Sequence, residues 1–175
     1  MFKIRKTVRP EILGIIVSAA VLTISAATTS AAQGGAVSGA CGLITQQEAA
    51  TALGAPVPAG AEKSLDFPVE GVLVKAQACM FGSVVVVARY ELGSGAQTLF
   101  GKYRQSFSSQ PGSSDYQTVN GIGEEAFTAK GQLHIRKGQL GLLLGITMGD
   151  RQNDRIAAKT LAAEKELAAL ALGRL

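Results

Sequence analysis

Two cysteines, Cys41 and Cys79, follow an N-terminal segment with the make-up of an export signal, and that combination limits the folds open to this chain more than any other feature. Lys3, Arg5, Lys6 and Arg9 form a basic n-region, residues 12–27 are an uncharged apolar stretch, and Ser30-Ala31-Ala32 supplies the small residues that signal peptidase prefers. A membrane span needs about 20 strongly apolar residues, and this run is shorter and diluted by Ser and Thr. The expectation is a signal peptide over residues 1–32, with an uncleaved N-terminal anchor as the alternative and no integral membrane domain once the signal is removed. Outside the reducing cytosol, an even pair of thiols reads as one disulfide. In the chain-entropy treatment such a bridge stabilises the fold by about 4 kcal/mol. Zinc needs more ligands than two thiols and the single histidine, His134, supply, and a redox pair would stand as C-x-x-C. No metal and no cofactor is expected. Residues 33–39 are polar and Gly-rich and separate Cys41 from the apolar run, so acylation of Cys41 is not expected either.

Removing residues 1–32 leaves 143 of 175 residues, enough for one domain with one core. The formal charge of +4 belongs to the signal. It holds four of the 17 Lys/Arg and one of the 13 acids, so the remainder carries 13 basic against 12 acidic residues. A nucleic-acid surface needs its basic patch on the folded domain, and none is expected here.

Residues 33–40 read as a flexible leader and residues 41–173 as a single domain. Thr45-Gln46-Gln47-Glu48 is a capping box that starts a short helix, closed by Gly54 and Pro56. Residues 55–68 contain three prolines and read as loop. Residues 72–81 and 84–92 form a hairpin around a two-residue Gly82-Ser83 turn, which pairs Phe81 with Val84 and Cys79 with Val86. Cys79 and Phe81 then share the core face with Val84, Val86, Ala88 and Tyr90, leaving Val85 and Val87 on the reverse. A second capping pattern at Ser94-Gly95-Ala96-Gln97 opens a helix carrying Phe100, Tyr103 and Phe107. Short strands follow near residues 116–119 and 121–127. In residues 132–137 the alternation points Leu133 and Ile135 inward and Gln132, His134 and Arg136 outward. A strand with Leu140, Leu142, Leu144, Ile146 and Met148 on one face precedes a helix at about residues 152–172, capped by Asp150 or Asn153, with Ile156, Ala163, Leu167 and Leu170 as its stripe. The fold class is α+β, an antiparallel sheet of about six strands with helices packed on one face.

Cys41-Gly42-Leu43-Ile44-Thr45 with Glu48, Leu53-Gly54, Cys79 in a strand, Gly121-Ile122-Gly123-Glu124-Glu125-Ala126-Phe127, a following hairpin and a terminal helix occur together in this order. In these landmarks the chain resembles a family of exported bacterial domains of unknown function, common among actinobacterial lipoproteins and envelope proteins. The resemblance spans roughly residues 41–172. It departs from the family pattern in lacking a lipobox and in having Met80-Phe81 after Cys79, where Trp or Tyr often stands nearby. The resemblance implies an envelope location and a paired Cys41 and Cys79, and it carries no catalytic residues.

Gly121-Ile122-Gly123-Glu124-Glu125-Ala126 fits G-x-G-x-x-A, but a dinucleotide site would set two carboxylates against the pyrophosphate. Glu124 and Glu125, as neighbours on an extended strand, point to opposite faces, whereas glycoside hydrolysis needs converging carboxyls. Partners for such chemistry would have to come from Glu70 or Asp115. His134 reads as a solvated strand residue. The chain is therefore expected to be a non-catalytic envelope module that binds or senses a ligand or protein of the envelope. Its surface is expected on the free sheet face (Val85, Val87, Gln132, His134, Arg136) with Glu124 and Glu125, or on the loops at residues 55–68 and 108–115. The alternatives are a carboxylate-dependent hydrolase of envelope material and a subunit that docks through its C-terminal helix. Intact-mass analysis of exported protein should give a chain beginning at Gln33 and lighter by two thiol hydrogens; free thiols or an acyl group on Cys41 would contradict the export and disulfide expectations.

Overall fold

The computed structural model describes residues 39–110, 116–147 and 154–175. The signal, most of the leader, Asp115, Met148 and the expected caps Asp150 and Asn153 lie outside the described residues. The chain begins with a 3₁₀ turn at Ala40–Gly42, where Ala40 is already fully buried. Helix α1 (Gln46–Leu53) has the expected capping box. Thr45 Oγ1 accepts the Glu48 N–H at 3.2 Å, Glu48 Oε2 accepts the Thr45 N–H at 2.8 Å, and Gly54 closes the helix in the left-handed region.

Seven strands follow: β1 (Gly60–Val69), β2 (Val72–Phe81), β3 (Val85–Glu91), β4 (Gln117–Thr118), β5 (Glu125–Ala129), β6 (Gln132–Lys137) and β7 (Leu140–Ile146). Helices α2 (Ala96–Ser108) and α3 (Asp154–Leu172) complete the described chain. The strands make one antiparallel sheet in the order β1-β2-β3-β7-β6-β5-β4, so two meanders meet where β3 pairs with β7. The class is α+β with an antiparallel sheet, as expected, with seven strands in place of about six.

The added strand is β1, which the three prolines disguised as loop. Pro68 is tolerated because β1 is an edge strand, where a missing N–H removes no ladder bond on the outer side. Glu70 and Gly71 both have positive φ and join β1 to β2 in a two-residue type I′ turn that pairs Val69 with Val72. Lys130-Gly131 repeats that turn between β5 and β6.

Two further expectations are corrected. The β2–β3 loop has three residues, 82–84, so Phe81 pairs with Val85 and Cys79 with Val87. A one-residue slip exchanges the faces of a whole strand. Val85 and Val87 therefore join Cys79 and Phe81 in one core cluster, while Val86, Ala88 and Tyr90 belong to the other. The helices also cover both faces of the sheet. α1 and α3 pack on Phe81, Val87, Leu133, Ile135, Leu142 and Leu144, whereas α2 packs through Phe100 and Tyr103 on Ala88, Tyr90, Phe127 and Leu143. The long central strands are apolar on both sides, and that composition requires two layers of cover.

α2 begins from the 3₁₀ turn Gly93–Gly95 with no side-chain cap, so the Ser94 capping pattern is not used. In α3 the buried line runs through Thr160, Ala163, Glu164, Leu167, Ala168 and Ala171, and Leu170, expected in the stripe, is exposed. Glu164 accepts the Ile146 N–H at 3.1 Å and thereby extends the hydrogen bonding of β7 into the helix layer.

The two ends of the described chain are clamped together. Arg174 donates to Leu43 O at 2.8 Å and to both Glu48 oxygens at 2.8 and 2.5 Å. The guanidinium holds the Glu48 carboxyl down at about 2. A carboxyl whose folded value is depressed contributes stability that is full above its unfolded value near 4.3 and fades as pH falls toward the folded value. Glu48→Gln and Arg174→Met should each lower stability at pH 7 by about 1–2 kcal/mol. In denaturant titrations the gap between Glu48→Gln and the unmodified protein should narrow at pH 3, and a gap independent of pH would contradict the clamp.

Candidate functional site

The Gly-rich motif is built around Arg136. Gly121 and Gly123 both have positive φ, and a Cβ on Gly123 would lie 2.6 Å from Arg136 O and 2.5 Å from Ile135 Cγ2. That contact brings the Glu124 N–H onto Arg136 O at 2.9 Å. Glu124 precedes β5 and Glu125 opens it, so strand alternation does not separate their side chains. Both carboxylates converge on one guanidinium, correcting the expectation of opposite faces. Arg136 Nε and Nη2 donate to Glu125 Oε1 at 3.1 and 3.0 Å, and Nη1 donates to Glu124 Oε2 and to Gly138 O. Glu124 Oε1 also accepts the Gly138 N–H at 2.8 Å, and this bond, with Arg136, holds its carboxyl below the usual range. Arg104 from α2 approaches the other Glu125 oxygen at 3.5 Å. The cluster ties β5, β6, the turn after β6 and α2 to one another.

His134 is buried instead of solvated. Its ring stacks on Phe127 with centroids 4.8 Å apart and planes at 11°, with Tyr103 and Phe107 of α2 at 5.4 and 5.5 Å. It is 1% exposed, and neither ring nitrogen has a hydrogen-bond partner. The Ala129 backbone acts on the ring from outside ordinary hydrogen-bond geometry. Desolvation holds the imidazole down at about 4. Only a neutral ring suits this place.

The expected binding face is thus divided. Val85 and Val87 are buried under α1 and α3, His134 and Arg136 are buried on the α2 side, and Glu124 is exposed at the strand entry. Gln132 alone among the three β6 residues reaches an opening. With Met80, Val86, Lys130 and Gly145 it lines a shallow depression between the 82–84 loop and the Lys130-Gly131 turn. A Cβ on Gly145 would press on Val86 Cγ1 at 3.0 Å, so the glycine keeps the floor of this depression low. Sequence alternation missed the depression because its two rims come from turns 46 or more residues apart. A second open depression runs along α1 from Thr45 to Val57.

Cys41 and Cys79 form the expected disulfide, with Cα atoms 4.7 Å apart. Gly60 of β1 lies against it, where a Cβ would meet Cys79 Sγ at 2.5 Å, and Glu62 accepts the Cys41 N–H at 2.8 Å. Among the described residues no three His, Cys, Asp or Glu side chains group as metal ligands, and no helix is long and apolar enough to cross a membrane.

No protein-family model, no curated protein and no solved structure matches the chain.

Arg136→Met should destabilise the protein by about 2–3 kcal/mol, because it leaves the half-buried Glu125 without its fork partner. Arg136→Lys should recover only part of this, since one ammonium cannot replace Nε and Nη2 together. Denaturant midpoints equal to those of the unmodified protein would show the cluster to be dispensable.

Proposed function

We propose that this protein is an exported, non-catalytic module of the cell envelope that binds or senses an envelope ligand or protein. The observation that carries this reading is the Cys41–Cys79 disulfide. Such a bond persists in oxidising compartments and is rare where glutathione keeps thiols reduced, which agrees with the export signal in residues 1–32 and with the family resemblance. The groups that would serve chemistry support the non-catalytic part. Glu124 and Glu125 bind Arg136, Glu48 binds Arg174, and His134 is enclosed by rings.

The depression around Gln132 is the surface we assign to recognition. Apolar Met80 and Val86 line it together with polar Gln132, Lys130 and Ser83. A shallow site of this kind suits a polar group presented by a larger molecule better than a small free ligand, which is commonly engulfed in a deeper cleft.

Thermal-shift titration of the disulfide-bonded protein with cell-wall fragments, anionic lipids and envelope extracts should identify a component that raises Tm. Gln132→Ala should remove that shift while leaving the unliganded Tm unchanged. No response from folded protein to any component would exclude binding to these classes. Hydrolysis of any of them, lost in Glu124→Gln or Glu125→Gln, would replace this reading with a hydrolase.

A further inference from the structure

The aromatic cluster under α2 encloses the one histidine of the chain, and what that histidine lacks is informative. A neutral imidazole carries one donor and one acceptor, and a buried polar group without partners costs free energy that an apolar residue at the same place would not. Ring contacts dominate its surroundings among the described residues: Phe127 beneath it, and Tyr103 and Phe107 of α2 above.

Among the described residues, the charged and titratable groups around the ring offer it no counter-ion. From α2, Arg104 faces Glu125. From β5, Glu125 is engaged by Arg136 and Arg104. From β6, Arg136 lies two places along on the same face as His134 and is itself a cation. Lys130, in the β5–β6 turn, sits over the Phe107 ring at 5.4 Å. The phenols Tyr103 and Tyr116 complete the surroundings, and Glu70 beyond Tyr103 acts on that phenol. β7 contributes Gly141, Leu143 and Gly145 on this side, none of them titratable. Among the described residues, an imidazolium in the closed structure would thus face more cations than available carboxylates.

α2 also has weak helix signals of its own. Its N-cap is Gly95, with no side-chain cap, and Gly101 lies in its middle with open space where a Cβ would be. A mid-helix glycine costs about 1 kcal/mol relative to alanine, and nothing packs on Gly101 to compensate. The helix is held chiefly by the ring cluster that encloses His134.

We infer that α2 is an acid-released flap: it lies on the sheet only while His134 is neutral, and protonation of the ring in the opened form holds α2 away and uncovers the Ala76, Ala88, Tyr90 and Leu143 face. The inference concerns the fold and does not rest on the proposed export or binding role. Its sign follows from linkage. The opened form takes up its proton at the ordinary histidine value of 6.5 and the closed form only near 4, so the closed form is fully favoured above 6.5 and loses ground as pH falls toward 4. Between pH 7 and pH 5 the opening constant should rise about 20-fold.

Hydrogen exchange on the disulfide-bonded protein, corrected for the intrinsic rate at each pH, tests this. Protection of the α2 amides (residues 96–108) should fall about 20-fold from pH 7 to pH 5 while that of β7 (residues 140–146) stays constant. In His134→Phe, which keeps a ring and removes the titration, α2 protection should not depend on pH. Equal loss in α2 and β7, no loss in either, or the same loss in His134→Phe would overturn the inference. Should His134→Phe fail to fold, the single imidazole can be followed by NMR in the unmodified protein. Loss of α2 protection that tracks protonation of the ring supports the flap, and a protonated ring beside fully protected α2 amides, or a midpoint near 6.5, overturns it.

Discussion

β7 is apolar on both sides, and that constraint organises the rest of the molecule. Leu142, Leu144 and Ile146 face α1 and α3, and Leu143 faces the α2 side. A strand of this kind has no solvent face to offer, so the sheet must sit between two layers. Its glycines are part of the same requirement. A Cβ on Gly141 would lie 2.1 Å from the Tyr90 ring, which takes the space directly over β7. Tyr90 is 1% exposed, and desolvation drives its phenol above its usual range. Burying so large a side chain stabilises by roughly 2 kcal/mol or more, and only glycine at the neighbouring position on β7 leaves room for it.

The disulfide joins this interior to the short segment that leads into α1. The 3₁₀ turn Ala40–Gly42 is three residues long, too short to hold itself against the sheet by helix formation. Cys79 is fully buried on β2, and the bond to it fixes the turn over the α1–α3 side, where Leu43 and Ile44 can then be buried. Arg174 grips Leu43 O and Glu48 from the other end of the described chain. A covalent bond and a forked ion pair thus confine one short segment, and α1 is placed as a consequence. The edge strand β1 is drawn into the arrangement through Gly60, which lies against the bridge, and through Glu62, which accepts the Cys41 N–H.

What the sequence disclosed follows from how local each cause is. The capping box at Thr45 and the Gly54 stop involve groups within a few residues of one another, and both are present. The strands 132–137 and 140–146 were legible because a glycine turn separates two apolar runs. The β2–β3 register was not. Residues 84–87 are four consecutive valines, and with both faces buried no polar residue among them marks which way a side chain points. His134 failed for a related reason. Gln132, His134 and Arg136 alternate with Leu133 and Ile135 as on a half-exposed strand, yet α2 covers their side. Nothing within β6 records that a helix from residues 96–108 lies above it. β1 was hidden by composition, since its exposed residues and Pro68 are those of an edge.

The Gly121-to-Phe127 motif shows why the candidate site was the least legible part. Two glycines, two acids and an aromatic residue in close sequence resemble the parts list of a binding loop, and each has a second use in forming a corner. Gly123 lets one backbone touch another, Glu124 and Glu125 neutralise an arginine that must lie partly inside, and Phe127 forms the floor beneath His134. The chemistry that would have distinguished a site from a corner is the direction of the side chains, which depends on Arg136, 11 residues beyond Glu125. An acid pair aimed at a ligand leaves lone pairs open to solvent or substrate. Here one Glu125 oxygen accepts two guanidinium bonds and the other faces Arg104, while both Glu124 oxygens are taken by Arg136 and Gly138. The acids of this corner are thus spent on its own architecture, and on the α2 side of the sheet the depression at Gln132 is the open surface.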